Sequence, residues 1–160
     1  MSASGLKFDA VFRLGFLPLV GITAASEFFR LVYSHNLPFL EVLGSAIAIG
    51  GGLFASFYAS RLFLDIALRR YISNDINDVK INNLALYLLG LDCFYRIFSN
   101  LMPAALTFLC FLPLISIVIL FKSTSYLGVS EDKIINYIFI SFGGVVIIPV
   151  LICWLLLLII

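Results

Sequence analysis

Long apolar runs separated by short polar stretches dominate this chain. Only residues 69–80 (RRYISNDINDVK) and 122–133 (KSTSYLGVSEDK) are polar for long enough to lie outside a membrane. Between them, 81–121 is a run of 41 residues interrupted by two charges, Asp92 and Arg96. As a single helix that run would measure ~60 Å, about twice the ~30 Å hydrocarbon core of a bilayer. It must cross and come back, which sets both polar stretches on the same side.

Apolar runs and turn signals predict an all-α polytopic membrane protein of five spans, at about 14–34, 39–68, 81–101, 103–121 and 134–160, forming one domain over 1–160. The sequence SHNLP closes the first span, with Pro38 opening the second. Ser99, Asn100 and Pro103 supply the cap and first-turn proline of a tight hairpin between the third and fourth. Ser130, Glu131 and Asp132 take N-terminal helix positions before the fifth. The first 26 residues mimic a secretory signal, with a basic start, a short apolar run and small residues at TAAS. Asp9 breaks the basic region, and Glu27 and Arg30 continue the helix, so a first span is the better reading.

Five spans place the termini on opposite sides. Lys7, Arg13, Arg69, Arg70, Lys80, Lys122 and Lys133 fall on one side, and Arg30 and Arg96 lie near the other. The Lys/Arg bias therefore predicts a cytoplasmic N-terminus and an extracytoplasmic C-terminus. Merging 81–121 into one span of a four-span protein would split the basic stretches across the membrane.

Composition strengthens the membrane reading. Hydrophobic residues make up 62% and charged residues 12%, against about 45–50% and about 25% in ordinary soluble domains. The net charge of +1, with no Lys/Arg cluster, gives no basis for a nucleic-acid partner. Cys93, Cys110 and Cys153 each sit alone in an apolar run and read as small buried hydrophobes. The single histidine, His35, lies in a short turn and excludes an H-E-x-x-H pattern or any multi-histidine metal site. No G-x-S-x-G elbow and no phosphate-binding glycine loop occurs, and Asp65 and Asp92 fall near opposite faces, too far apart for an aspartyl dyad. The expectation is a protein that is not an enzyme and has no cofactor and no metal.

The second span carries small residues at every fourth position: Gly44, Ala48, Gly52, Ser56 and Ser60, with Gly51, Ala55 and Ala59 alongside. Small residues let helix backbones approach closely, so this span is expected at the centre of the bundle. Pro18, Pro103, Pro113 and Pro149, with Gly143 and Gly144, predict helix kinks. Ionisable groups at membrane depth are costly unless paired. Glu27 with Arg30, Arg61 with Asp65, and Asp92 with Arg96 have helical spacing and are expected to pair. Structural ion pairs near the interface are one reading. The sharper one is an outward-opening polar cavity between the first and third spans, built from Glu27, Arg30, Asp92 and Arg96.

Four stretches resemble a known family. LGVSEDKIINYIFISFGGVVIIPVLI (127–152) resembles the closing segment of bacterial Yip-family proteins, named for interaction with Ypt/Rab GTPases. Glu131, Asp132 and Lys133 followed by Tyr137 carry most of that likeness. Residues 84–121 are similar to the family's third and fourth helices joined at a proline, 37–68 to its long second helix, and 16–31 to its first. The resemblance implies a five-helix integral membrane bundle with a cytoplasmic N-terminus. Eukaryotic members act in vesicle traffic and contact Rab GTPases. This chain lacks their long cytosolic N-terminal segment and their acidic-Leu-Tyr-Gly-Pro motif, so Rab binding does not carry over.

The expected function is that of an accessory or scaffold subunit of a bacterial inner membrane. Its partners would be the lipid bilayer and either another membrane protein or a second copy of the chain. The candidate contact loops carry Arg69, Arg70, Lys80, Glu131, Asp132 and Lys133. The alternative is a small transporter or channel-like protein using the outward-facing cavity.

Overall fold

A computed structural model describes residues 8–34, 37–72, 76–102 and 112–159. Among them the chain is almost entirely helical, without strands. A helical turn α1 (Phe8–Val11) leads through a π-helical segment (Phe12–Phe16) into α2 (Leu17–Ser34). Then come α3 (Phe39–Tyr71), α4 (Asp78–Leu101), α5 (Leu112–Leu127) and α6 (Ile134–Ile159), the last entered through a 3-10 turn at Glu131–Lys133. Phe8–Tyr33, Phe39–Tyr71, Asp78–Leu101 and Glu131–Leu158 are long and apolar enough to cross a membrane; the apolar stretch of α5, Leu114–Leu127, is shorter. Several long apolar helices of this kind are compatible with an integral membrane protein. Lys7, His35, Pro103 and Cys110 lie outside the described residues.

Local chemistry explains where the helices depart from the sequence expectation. Pro18 has no N–H to give, and just before it the ladder widens: Leu17 N–H bonds Phe12 O, five residues back. The first helix thus bends its register rather than ending. Helix α4 starts three residues before the expected span because Asn77 caps it, its Oδ1 accepting from Val79 N–H at 2.8 Å.

The second polar stretch is half helix, a correction to its reading as a loop. Ser123 Oγ donates to Leu120 O and Thr124 Oγ1 to Phe121 O, both at 2.7 Å, so the hydroxyls are satisfied inside α5. Gly128, at φ +73°, ends the helix, and Val129 N–H returns to Thr124 O at 3.0 Å. That is a Schellman closure, which needs a left-handed residue at this place. Ser99 and Asn100 lie in the last turns of α4, and the turn they are expected to cap falls at residues outside those described. Ser130 stands at the N-cap before Glu131, but its side chain makes no capping bond.

Contacts fix the direction of each helix. Phe28 meets Phe39 at 5.9 Å and Phe12 meets Phe57 at 5.1 Å, so α2 and α3 are antiparallel. Asn100 Nδ2 donates to Ser26 Oγ at 3.0 Å, and Leu19 faces Gly90, so α4 runs parallel to α2. Ser60 Oγ donates to Gly144 O at 2.9 Å while Gly52 faces Cys153, making α6 antiparallel to α3. Tyr126 O, at the end of α5, accepts from Lys80 Nζ at the start of α4. Residues 81–121 are therefore not one helix: α4 stops at Leu101, and α5 delivers the chain back to the end where α4 began.

The core lies where α3 meets α6 and α4. Ala48, Gly52, Ser56 and Ser60 are buried and Gly44 half-buried, as the strip of small residues led one to expect. The neighbouring row does not widen it, since Gly51 and Ala55 are exposed. Phe57 is buried against the rings of Phe8, Phe12 and Phe16, which locks the first helix to α3.

Candidate functional site

Helix α4 presents a polar stripe. Asp92, Tyr95, Arg96, Ser99 and Asn100 recur at i, i+3, i+4, i+7 and i+8, the spacing of one helical face. They wall one side of a cavity of about 510 Å³, within the size range of small-molecule sites. Ser116 of α5 adds a hydroxyl to that wall. The opposite wall is apolar and comes from α6, with Val145, Val146, Val150, Trp154 and Leu157.

Within this cavity Arg96 Nε donates to Asp92 Oδ2 at 3.0 Å. The Arg96 side chain is 22% exposed and that of Asp92 27%, so the pair faces the cavity rather than open surroundings. Among the described residues both Nη groups of Arg96 and Oδ1 of Asp92 are without a hydrogen-bond partner. The donors needed for a second acceptor are thus in place.

Glu27 and Arg30 do pair, and more completely. Arg30 Nε meets Glu27 Oε2 at 3.0 Å and Nη2 meets Oε1 at 2.5 Å, a two-pronged bridge. Neither residue lines the cavity. Among the described residues the site is therefore walled by the third and fifth spans of the sequence reading, with Ser116 from the fourth and Ile49 from the second, rather than by the first and third. What reaches it from α2 is Ser26, through the hydrogen bond from Asn100.

At the other end of the bundle the two polar stretches meet. Lys133 Nζ donates to Ile72 O at 2.8 Å, and Lys80 Nζ donates to Tyr126 O at 2.5 Å while lying over the Tyr126 ring. Asp65 pairs with Arg69 at 2.7 Å, not with Arg61, and Arg69 also bridges to Asp78. An acid placed four residues before its base has the better geometry on a helix, which favours Asp65–Arg69 over Arg61–Asp65. Arg61, Asp65, Asp78 and Asn82 instead line a second cavity of about 410 Å³ with Tyr58.

The candidate contact residues thus divide. Arg69, Lys80 and Lys133 tie the fold, whereas Arg70, Glu131 and Asp132 are exposed. Tyr95, Ser99, Asn100, Ser116 and Trp154 were not singled out as cavity residues from sequence. The polar stripe on α4 was readable by helical spacing; the apolar α6 wall carried no signal. Among the described residues, no three of His, Cys, Asp and Glu gather in a way that would hold a metal ion. No protein-family profile, no curated protein and no solved structure matches this chain.

Proposed function

We propose that this chain is a non-enzymatic integral membrane protein of five crossings that serves as an accessory or scaffold subunit, with the N-terminus and both polar stretches in the cytoplasm. A bacterial inner membrane is its proposed location, and the Yip-family resemblance its proposed kinship. One observation carries the reading. Lys80 and Lys133 tie two stretches far apart in sequence into one polar end, leaving Arg70, Glu131 and Asp132 exposed beside these ties.

Such a fixed set of opposite charges suits recognition by a complementary polar surface. The test is co-purification from native membranes. Reversing Arg70, Glu131 and Asp132 together (R70E/E131K/D132K) is expected to abolish recovery of a defined partner while leaving the thermal unfolding of the purified chain unchanged. Undiminished recovery from the triple variant would defeat the scaffold reading. The variant spares Arg69, Lys80 and Lys133, whose loss would disturb the fold itself.

The cavity favours a second reading, a small transporter or channel-like protein. The unpaired Arg96 donors and Asp92 oxygen would contact a solute there. Flux across proteoliposomes that falls in an Asp92→Asn variant would support it; absence of flux for small ions and zwitterions would count against it.

A further inference from the structure

The cavity between α4, α5 and α6 has a polar wall, an apolar wall and a defined depth, and the three together specify an occupant. Helix α4 has 24 residues and is ~36 Å long, slightly more than a ~30 Å hydrocarbon core. Arg96 stands five residues before its end at Leu101, or ~8 Å, which sets it roughly 5 Å inside the core boundary. Trp154 stands at a matching place, five residues before Ile159 at the end of α6, which runs in the same direction. Tryptophan marks the interface level in membrane proteins, so both helices place this site at the same depth.

At that depth an unsatisfied guanidinium is unfavourable, and arginine side chains reach toward phosphate and water. The Nε of Arg96 is taken by Asp92, which orients the guanidinium and leaves its Nη edge for another acceptor. A planar pair of N–H groups matches a phosphate oxygen pair. The facing wall deeper than Trp154, with Val145, Val146 and Val150, is apolar and suits an acyl chain.

We propose that the cavity holds one phospholipid, its phosphate on the Nη edge of Arg96 and one acyl chain running inward along Val150 and Val146. Asp92 is a positioning residue, and because it balances Arg96 the site does not require an anionic headgroup. The proposal rests on the membrane placement of the bundle and not on a partner at its polar end, so the two can fail separately.

Native mass spectrometry of the full chain in detergent tests it with three probes: phosphatidylethanolamine, diacylglycerol with the same acyl chains, and glycerophosphoethanolamine. Phosphatidylethanolamine is expected to be retained about tenfold better than either of the others, the scale of a charge-assisted hydrogen bond. Equal retention of diacylglycerol would reduce the site to an apolar groove. Equal retention of glycerophosphoethanolamine would make it a site for a soluble phosphate ester. Either result overturns the proposal on the unaltered protein.

Two variants complete the test. Asp92→Asn with Arg96→Gln removes both charges without stranding one and should lower retention toward that of diacylglycerol. Val150→Trp fills the apolar wall with the pair intact and should lower it toward that of glycerophosphoethanolamine. Glu27→Gln with Arg30→Gln, which alters the ion pair outside the cavity, should leave it unchanged. Unaltered retention in both cavity variants would also overturn the proposal.

Discussion

Individual residues in this bundle act mainly through how near they allow two backbones to come. At Gly52 an added Cβ would lie 2.9 Å from Cys153 Sγ and 3.4 Å from Cys153 Cα, so α6 itself stands against it. At Gly51, one residue on, a Cβ would meet nothing within 4 Å. Lipid gives little hydrophobic drive for helix association, and close packing has to supply the cohesion. Gly52→Leu is therefore expected to destabilise the bundle by about 1–3 kcal/mol, the usual scale for overpacking. Gly51→Leu should be close to neutral. Thermal unfolding of the two variants in the same detergent checks this, and equal losses would mean that the α3–α6 contact is not what the small residues serve. Gly144 is a gentler case: its added Cβ would meet ring carbons of Phe63 at 2.5 and 2.8 Å, and that half-exposed ring can turn away.

Whole elements are held in place by contacts that no single helix carries. Lys133, just before α6, donates to the carbonyl of Ile72 just after α3, in half-buried surroundings. Lys80 makes the corresponding tie from α4 to the end of α5, but at an exposed site. Charged hydrogen bonds shielded from water are worth more than exposed ones. Lys133→Met should therefore cost about 2 kcal/mol and Lys80→Met less than about 1 kcal/mol, read as a difference in unfolding midpoint under detergent denaturation. A reversed order would mean that these ties do not hold the polar end together. The element scale is also where the sequence was least legible. The long apolar helices, the strip on α3 and the pairs Glu27–Arg30 and Asp92–Arg96 followed from local spacing. The polar tail of α5 did not, because KSTSYL reads as loop until Ser123 and Thr124 are seen to bond back within the helix. Nor did the partner of Asp65, since Arg61 and Arg69 have equal spacing from it and only the direction of the pair separates them. The α6 wall of the cavity was silent because apolar residues facing lipid and apolar residues facing a cavity look alike in a sequence.

The molecule as a whole is governed by parity. Helices α2, α4 and α6 run one way and α3 the other, and α5 ends beside the start of α4. That alternation returns the chain to one end twice, and there it carries Arg69, Arg70, Lys80, Lys122 and Lys133. Parity and charge bias are independent: the first follows from contacts, the second from the distribution of lysine and arginine. Parity gathers these basic residues at one end and leaves the Arg96 cavity near the other; in the proposed topology it is the charge rule alone that assigns the basic end to the cytoplasm. Single cysteines in a background where Cys93, Cys110 and Cys153 are replaced by Ala test the arrangement directly. Tyr71→Cys and Ser130→Cys should be shielded from an impermeant maleimide in intact cells and react once the cytoplasmic side is opened. Leu40→Cys and Met102→Cys, at the other ends of α3 and α4, should react in intact cells. If Tyr71 and Ser130 labelled from different sides, α5 would not complete a crossing and five spans would be wrong. If all four labelled in the reverse sense, the helix packing would stand and the charge rule would have misplaced the cavity, putting its lipid in the cytoplasmic leaflet. The two outcomes separate the geometry of the bundle from its orientation, which matters because only the orientation decides which leaflet supplies the phospholipid.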